Sequence, residues 1–183
     1  MSNPVNHLGL LLIDFQEKFL QVIPNQEILI KRTCFALKAA KLLSISIGVT
    51  EQLPDKLGGT TTELSKFWNS KTHIFKKSTF SALEAEGISR WLETKQIDHL
   101  LIAGIESSVC VYQTAVQALN LGLGVTILSD CISERRIEDR SPILEQLLTM
   151  QAHVLPSETV FYSLLGNTTH PKFREFTQLV KLA

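Results

Sequence analysis

The segment from Leu8 to Asp14 reads LGLLLID, a short apolar run that ends in a carboxylate. It lacks the alternation of polar and apolar residues, which is typical of a strand buried on both faces of a parallel sheet. The segment from Leu100 to Glu106 reads LLIAGIE and has the same form. Both segments therefore predict buried parallel strands, each followed by an acidic side chain.

The remainder of the chain alternates between similar apolar runs and amphipathic stretches. Further predicted strands lie at Ile45–Thr50, Thr72–Phe75, Val125–Leu128 and Ala152–Leu155. Predicted helices lie at Ile28–Leu43, Glu84–Lys95, Ser108–Leu121, Ile137–Gln151 and Pro171–Leu182. This alternation predicts right-handed crossovers and a sheet with helices on both faces. We expect one domain over residues 1–183, an α/β/α Rossmann-like sandwich with about six parallel strands.

Composition excludes several classes of function. The 183 residues include 18 basic and 18 acidic side chains, and this balance argues against non-specific nucleic-acid binding. No run approaches the roughly 18 apolar residues of a membrane span, and Leu8–Ile13 is too short for a signal sequence. Three cysteines are too few and too scattered for a disulfide framework or a zinc site. We expect a cytoplasmic protein with a small-molecule partner rather than a nucleic acid or a membrane.

Ligands of such sheets bind beyond the carboxyl ends of the strands. The polar or reactive residues at those ends are Asp14, Glu51, Gln52, Lys76, Lys77, Glu106–Cys110, Asp130 and Cys131. Of the two adjacent lysines only one is expected to point into the cleft, because neighbouring strand residues face opposite ways.

Cys110 is the candidate nucleophile among these residues. Ser107 or Ser108 can cap a helix that places Cys110 in its first turn, where the helix dipole favours a thiolate. Lowering a thiol pKa from about 8.5 to about 6.5 needs roughly 2.7 kcal/mol, and a helix terminus supplies only about 0.3–1 kcal/mol. A nearby lysine could provide the difference. The other interpretation is that Cys110 is a small buried apolar residue, as most free cysteines are.

The histidines give no sign of a metal or cofactor site. His7, His73, His99, His153 and His170 form no pair at ligand spacing. A Cys–His dyad and a zinc hydrolase are therefore both disfavoured, and we expect no metal and no cofactor.

Three segments resemble the signature blocks of the isochorismatase-like cysteine hydrolases. They are LLIDFQEKF (residues 11–19), KSTFSAL (77–83) and AGIESSVCV (103–111). Residues 115–133 resemble a fourth, helix–strand block of the family. Residues 50–52 and 166–176 are closer to the subgroup of isochorismatase domain-containing proteins.

The resemblance implies a Cys–Asp–Lys triad. Cys110 would be the nucleophile, Asp14 the base, and Lys77 the cation that holds the thiolate and Asp14; the spacing to the FSA element selects Lys77 over Lys76. It also implies a cis peptide bond between Ile105 and Glu106, and an oxyanion hole made by the backbone N–H groups of Glu106 and Cys110. The expected reaction passes through a thioester, and the family suggests a homo-oligomer.

Departures from the family pattern narrow the expected chemistry. The segment TEQLPDKLG (residues 50–58) lacks the histidines of metal-binding nicotinamidases. The presence of Cys110 favours attack on an amide over vinyl-ether hydrolysis. Our first hypothesis is a metal-independent hydrolase of a C–N bond in a small amide or carbamoyl compound. The expected pocket walls are Phe15, Phe19, Gln52 and Phe80, and Glu106 is expected to disfavour an anionic substrate group.

Two alternatives remain open from the sequence. One is a vinyl-ether hydrolase in which Asp14 is the general acid and Cys110 is dispensable. The other is a non-catalytic binding or redox-sensing protein in which Cys110 is an oxidisable thiol. Core packing of the aromatic residues, and an ordinary loop amide at Gln52, are equally good explanations for the expected pocket walls.

Overall fold

The computed structural model of the chain describes residues 7–182, which contain a six-stranded sheet. The strands are β1 (Leu8–Ile13), β2 (Ser46–Gln52), β3 (Thr72–Lys77), β4 (His99–Ile105), β5 (Gly124–Ser133) and β6 (His153–Leu155). All neighbouring strands are parallel, in the order β3-β2-β1-β4-β5-β6. The predicted fold class is confirmed.

Nine α-helices lie between and after the strands within the described residues. They are α1 (Glu17–Leu20), α2 (Gln26–Leu42), α3 (Pro54–Leu57), α4 (Thr62–Ser65), α5 (Ile88–Thr94), α6 (Tyr112–Asn120), α7 (Arg140–Thr149), α8 (Ser157–Leu165) and α9 (Phe173–Lys181). A π-helical turn, Ser107–Val111, leads into α6. The five predicted helices are present, four of them with shorter bounds and α2 shifted by one or two residues at each end, whereas α8 and the short helices α1, α3 and α4 were not among the predictions. None of the helices in residues 7–182 has the length and apolar character to cross a membrane.

The central strand β1 separates two apolar cores. Leu10 and Leu12 belong to the cluster beneath α2, α8 and α9, and Leu11 and Ile13 belong to the cluster beneath α5, α6 and α7. All four side chains are fully buried. Burying such a side chain stabilises the fold by about 1.5–3 kcal/mol. Burial on both faces explains why residues 8–13 show no polar alternation.

The order of the strands reverses at β1 and β4. From β1 the chain runs outward to β2 and then β3, and it returns to the other side of β1 as β4. A reversal of this kind opens a crevice at the carboxyl ends of the two central strands, where ligands of α/β sheets bind. Asp14 directly follows β1, and the turn that contains Cys110 follows β4.

Gly104 allows the ends of β1 and β4 to come unusually close. Its φ is +153°, and a Cβ atom there would lie 2.6 Å from the carbonyl oxygen of Ile13. Only glycine fits such an approach of two backbones. The close contact fixes the distance between the two central strands one residue before Asp14.

Strand β5 runs further than its sequence predicts. Its apolar pattern predicts an end at Leu128, with Asp130 and Cys131 following the strand, but the strand continues to Ser133. The register between β4 and β5 shifts after Ile102, so that Ile132 and Ser133 pair with Gly104 and Ile105. Asp130 and Cys131 therefore lie within the strand, and Arg135 follows its end.

Candidate active site

Asp14 occupies a strained turn at the end of β1. Its φ of +56° is in the left-handed region, which few residues other than glycine adopt. The carboxylate is fully buried. Its Oδ1 accepts a hydrogen bond of 2.8 Å from the hydroxyl of Thr50, and its backbone N–H donates to the Thr50 carbonyl at 3.1 Å. Strand β2 therefore fixes the position of this carboxylate.

Lys77 is the last residue of β3 and points into the crevice. Its side chain is fully buried, and its Nζ lies 2.6 Å from Asp14 Oδ2. The side chain of the adjacent Lys76 is 68% exposed and lies 3.8 Å from Asp55. The two lysines therefore point in opposite directions, as the strand geometry predicts, and Lys77 is the one in the cleft.

Three further oxygen atoms surround the Lys77 ammonium. Nζ donates to Gln52 Oε1 at 2.5 Å, to the Thr79 carbonyl at 3.1 Å and to the Phe80 carbonyl at 3.3 Å. Gln52 is in turn held by Gln16, whose Oε1 accepts from the Gln52 backbone N–H at 2.7 Å and whose Nε2 donates to the Gln52 carbonyl at 3.0 Å. Gln16 was not singled out in the sequence, where Asp14 alone was taken as the polar residue that follows this strand.

Cys110 lies in the π-helical turn after β4. Its Sγ is 3.6 Å from Lys77 Nζ. Thr114 fixes this turn, since its hydroxyl donates to the Cys110 carbonyl at 2.6 Å and accepts from the Ala82 backbone N–H at 2.8 Å. The peptide bond between Ile105 and Glu106 is cis. The structure thus brings Asp14, Lys77 and Cys110 together from three different strand ends.

Electrostatics keep the Cys110 thiol protonated. Burial and the charge of Asp14 raise the pKa of Cys110 to about 12, and they outweigh the lowering by Lys77. Burial also raises the pKa of Asp14 above its ordinary value, against the opposing effect of Lys77. Burial and the neighbouring carboxylate therefore favour the thiol over the thiolate at Cys110, and Lys77 opposes them.

The effect of Asp14 on Cys110 predicts faster alkylation of the thiol in Asp14→Asn. Loss of the neighbouring anion lowers the pKa of Cys110. The thiolate fraction then grows tenfold per pKa unit while its nucleophilicity falls, for a net gain of about threefold per unit. Iodoacetamide labelling of the Cys110 peptide, followed by mass spectrometry at neutral pH, measures this rate. Lys77→Met should label more slowly and Lys76→Met as wild type; an unchanged rate in Asp14→Asn would contradict the coupling.

A pocket of about 300 Å³ opens above Cys110. Its wall consists of Phe19, Gln52, Phe80, Ile105, Glu106, Val109, Cys110 and Arg135. Phe19, Gln52 and Phe80 thus lie where the sequence predicts. Phe15 differs from that expectation, because its side chain is fully buried in the core beneath α2 and does not line the pocket.

Two residues of the wall were missed in the sequence. Val109 lies between Ser108 and the predicted nucleophile, and an apolar side chain at that position carries no specific signal of a pocket wall. Arg135 follows β5, whose end the sequence predicts at Leu128 rather than Ser133. The sequence therefore did not place Arg135 at the pocket. Its guanidinium forms a 2.8 Å ion pair with Glu106.

Comparisons with known proteins agree with this geometry. The isochorismatase domain family matches residues 9–159. Isochorismatase domain-containing protein 2 of Bos taurus is 35% identical over 173 residues, which cover 94% of this chain and 82% of that protein. A solved structure described as MAR1 ribonuclease from Caenorhabditis elegans is 33% identical with a TM-score of 0.90, covering 97% of this chain and 91% of the other.

A more distant structure shares the fold. The nicotinamidase SaPncA from Staphylococcus aureus is 16% identical with a TM-score of 0.75, and the match covers 82% of this chain and 99% of the other. The family match spans all six strands and the three residues that converge in the crevice. The chain belongs to the isochorismatase domain family.

Proposed function

We propose that the protein is a metal-independent cysteine hydrolase that cleaves a C–N bond in a small amide or carbamoyl compound. The observation that carries the proposal is the convergence of Asp14, Lys77 and Cys110, with Lys77 Nζ at 2.6 Å from the carboxylate and 3.6 Å from the sulfur. A redox sensor needs a reactive thiol but no matched base. The buried carboxylate therefore favours catalysis over the sensing alternative.

Acylation begins from the neutral thiol. As Cys110 Sγ forms a bond to the substrate carbonyl carbon, its proton passes to Asp14. The carbonyl oxygen becomes an oxyanion, for which we propose the backbone N–H groups of Glu106 and Cys110 as donors. Collapse of this intermediate breaks the C–N bond, and Asp14 returns the proton to the leaving nitrogen. The product of this half-reaction is a thioester on Cys110 and a free amine or ammonia.

Deacylation reverses the role of Asp14. The carboxylate takes a proton from water as the water oxygen bonds to the thioester carbonyl carbon. Collapse then breaks the C–S bond, and the proton on Asp14 passes to the departing sulfur. Lys77 keeps its positive charge throughout. It orients the carboxylate and offsets the negative charge that develops on sulfur.

The proposed reaction uses the carboxylate, ammonium and thiol groups of the crevice and no resident metal. Within residues 7–182, no three His, Cys, Asp or Glu side chains are grouped closely enough to hold an ion. A ribonuclease activity is less well supported. The pocket wall is mostly apolar, and Arg135, the one cation on it among the described residues, already contacts a carboxylate, whereas RNA phosphates require available cationic side chains.

Vinyl-ether hydrolysis is the second candidate function, and one observation favours it. Burial raises the pKa of Asp14, and a carboxyl group with a raised pKa is suited to act as a general acid. In that reaction Asp14 must be protonated in the active enzyme. Cys110 would have no bond to form, so Cys110→Ala would retain turnover.

The pH dependence of kcat/KM separates the two candidate functions. If Asp14 is a base, kcat/KM falls as the pH is lowered through the pKa of Asp14, which lies above the ordinary value of 3.8. If Asp14 is an acid, kcat/KM rises over the same interval. Ammonia release from a panel of small primary amides and carbamoyl compounds, and pyruvate release from isochorismate, provide the two assays. Activity that increases toward acid pH and survives Cys110→Ala would overturn the cysteine mechanism.

A further inference from the structure

The pocket above Cys110 contains an ion pair of its own. Arg135 Nε lies 2.8 Å from Glu106 Oε2, and both side chains line the cavity. The rest of the wall is formed by the apolar Phe19, Phe80, Ile105 and Val109, together with Gln52 and Cys110. Glu106 and Arg135 are therefore the only charged side chains in the pocket lining that the structure describes, one of each sign.

The two members of the pair are held differently. The Glu106 side chain is 15% exposed and accepts from the backbone N–H of Arg135 at 3.3 Å as well as from its guanidinium. The Arg135 side chain is 58% exposed. Because the backbone N–H is present whatever side chain stands at 135, Glu106 keeps one anchor when Arg135 is replaced. Each charge can thus be removed separately.

A molecule that enters the pocket meets no net charge. Behind Cys110 the charges of Asp14 and Lys77 cancel at 2.6 Å, and in the wall those of Glu106 and Arg135 cancel at 2.8 Å. A carboxylate or an ammonium group that enters must lose water without gaining an unpaired partner of opposite sign, which is strongly unfavourable. An uncharged polar group has a smaller desolvation penalty, and apolar substituents fit the aromatic wall.

We propose that the Glu106–Arg135 ion pair determines specificity by matching the pocket to small uncharged amides with an apolar substituent. That the substrate is an amide rests on the proposed function, whereas the selection for uncharged molecules does not. The sequence led us to expect that Glu106 alone repels anions. With Arg135 beside it, the pocket discriminates against both signs of charge, and removal of either partner exposes the other.

Alkylation of Cys110 by reagents of similar size tests this selection without any turnover. Iodoacetamide is neutral, iodoacetate is anionic and bromoethylamine is cationic. The rate at the Cys110 peptide is measured for each by mass spectrometry, and each charged reagent is expressed relative to iodoacetamide, which cancels changes in thiol reactivity. The same ratios measured with glutathione, a thiol in free solution, give the relative reactivity of the reagents in the absence of a pocket. Wild type should favour iodoacetamide over both charged reagents more strongly than glutathione does.

The variants should move the ratios in opposite directions. Glu106→Gln leaves the Arg135 cation uncompensated and should shift the ratio toward iodoacetate by about fivefold or more, while Arg135→Gln should shift it toward bromoethylamine to a similar degree. Arg135→Lys preserves the charge and should keep the wild-type ratios. Arg136→Gln and Glu138→Gln alter neighbouring exposed charges outside the pocket and should have no effect.

Ratios that stay constant in Glu106→Gln and Arg135→Gln, or that shift in the same direction in both, would overturn charge matching. Thermal unfolding of each variant identifies any loss of fold. If Glu106→Gln fails to fold, the comparison of Arg135→Lys with Arg135→Gln still separates the effect of charge from that of structure, because only the second of these removes the charge. Failure of this test would leave amide hydrolysis standing. Shifted ratios in a protein that hydrolyses no amide would instead uphold the selectivity of the pocket and remove the proposed function.

Discussion

Asp14→Asn is expected to lower kcat/KM for amide hydrolysis at least about 10³-fold, within the range for loss of a general base. Asparagine has nearly the same shape as aspartate and can still accept a hydrogen bond from Thr50, which contacts Oδ1 at 2.8 Å. It cannot take the proton of the Cys110 thiol, whose pKa burial still raises in the variant. The nucleophile remains in place, but the step that activates it is lost.

The same substitution should speed alkylation of Cys110 while it slows amide hydrolysis. These opposite effects together distinguish loss of the base from general damage to the site. A substitution that merely disturbed the site would slow both turnover and labelling, or expose every thiol. Cys110→Ser should lose turnover and labelling together. Asp55→Asn is the matched control, because Asp55 is an exposed carboxylate that contacts Lys76. If Asp14→Asn hydrolyses amides within tenfold of wild type, Asp14 is not the base.

Lys77→Met should reduce the free energy of unfolding by about 3–5 kcal/mol at neutral pH, the usual effect of breaking a buried ion pair. Both side chains of the pair are fully buried. Without the ammonium, the buried Asp14 carboxylate keeps the Thr50 hydroxyl and the Cys110 thiol as hydrogen-bond partners but loses the positive charge that it is paired with. Denaturant unfolding measures the loss, and Lys76→Met should show almost none, since that side chain is 68% exposed.

The loss of unfolding free energy in Lys77→Met should increase as the pH rises. Burial raises the pKa of Asp14, and Lys77 is the main opposing influence, so the pKa rises further in the variant. Below the unfolded value of about 3.8 the carboxyl group is neutral in both states and Lys77 contributes nothing through it. The destabilisation therefore grows as the pH rises, and it levels off above the pKa that Asp14 has in the folded variant.

A double-mutant cycle identifies the origin of the loss. Asp14→Asn/Lys77→Met removes both charges and should recover most of the stability of wild type. Asp14→Asn alone should be milder than Lys77→Met, because the ammonium keeps Gln52, Thr79 and Phe80 as acceptors. A double variant no more stable than Lys77→Met, or a loss that persists at acid pH, would show that packing rather than charge is responsible.

The central strands were predictable because burial on both faces leaves residues 8–13 apolar without alternation. Strand geometry indicated only that one of Lys76 and Lys77 points inward, and the choice of Asp14, Lys77 and Cys110 came from the resemblance of three segments to the signature blocks of the family. Helix α8 was missed, although Val160, Phe161 and Leu165, which are buried there, have helical spacing. The competing signal was the glycine, asparagine and proline content of the segment that follows.

Non-local contacts account for what the sequence did not reveal. The end of β5 depends on a register shift against β4, and Arg135 reaches the pocket only because that shift extends the strand. Phe15 looked like a pocket wall, but the turn at Asp14 directs it into the core. The raised pKa of Cys110 follows from burial combined with the closeness of Asp14, and neither quantity can be read from residue order.

The reversal of strand order at β1 and β4 has a consequence for how activity emerges during folding. Asp14 and Lys77 belong to the half of the sheet that is built first along the chain, and Cys110 belongs to the half built last. Contacts between distant parts of a chain form slowly, because loop-closure entropy must be overcome before they contribute stability. The proposed chemistry therefore requires β4 to have docked beside β1, so that hydrolysis, if measured during refolding, would indicate that the two halves have joined rather than that either half has formed.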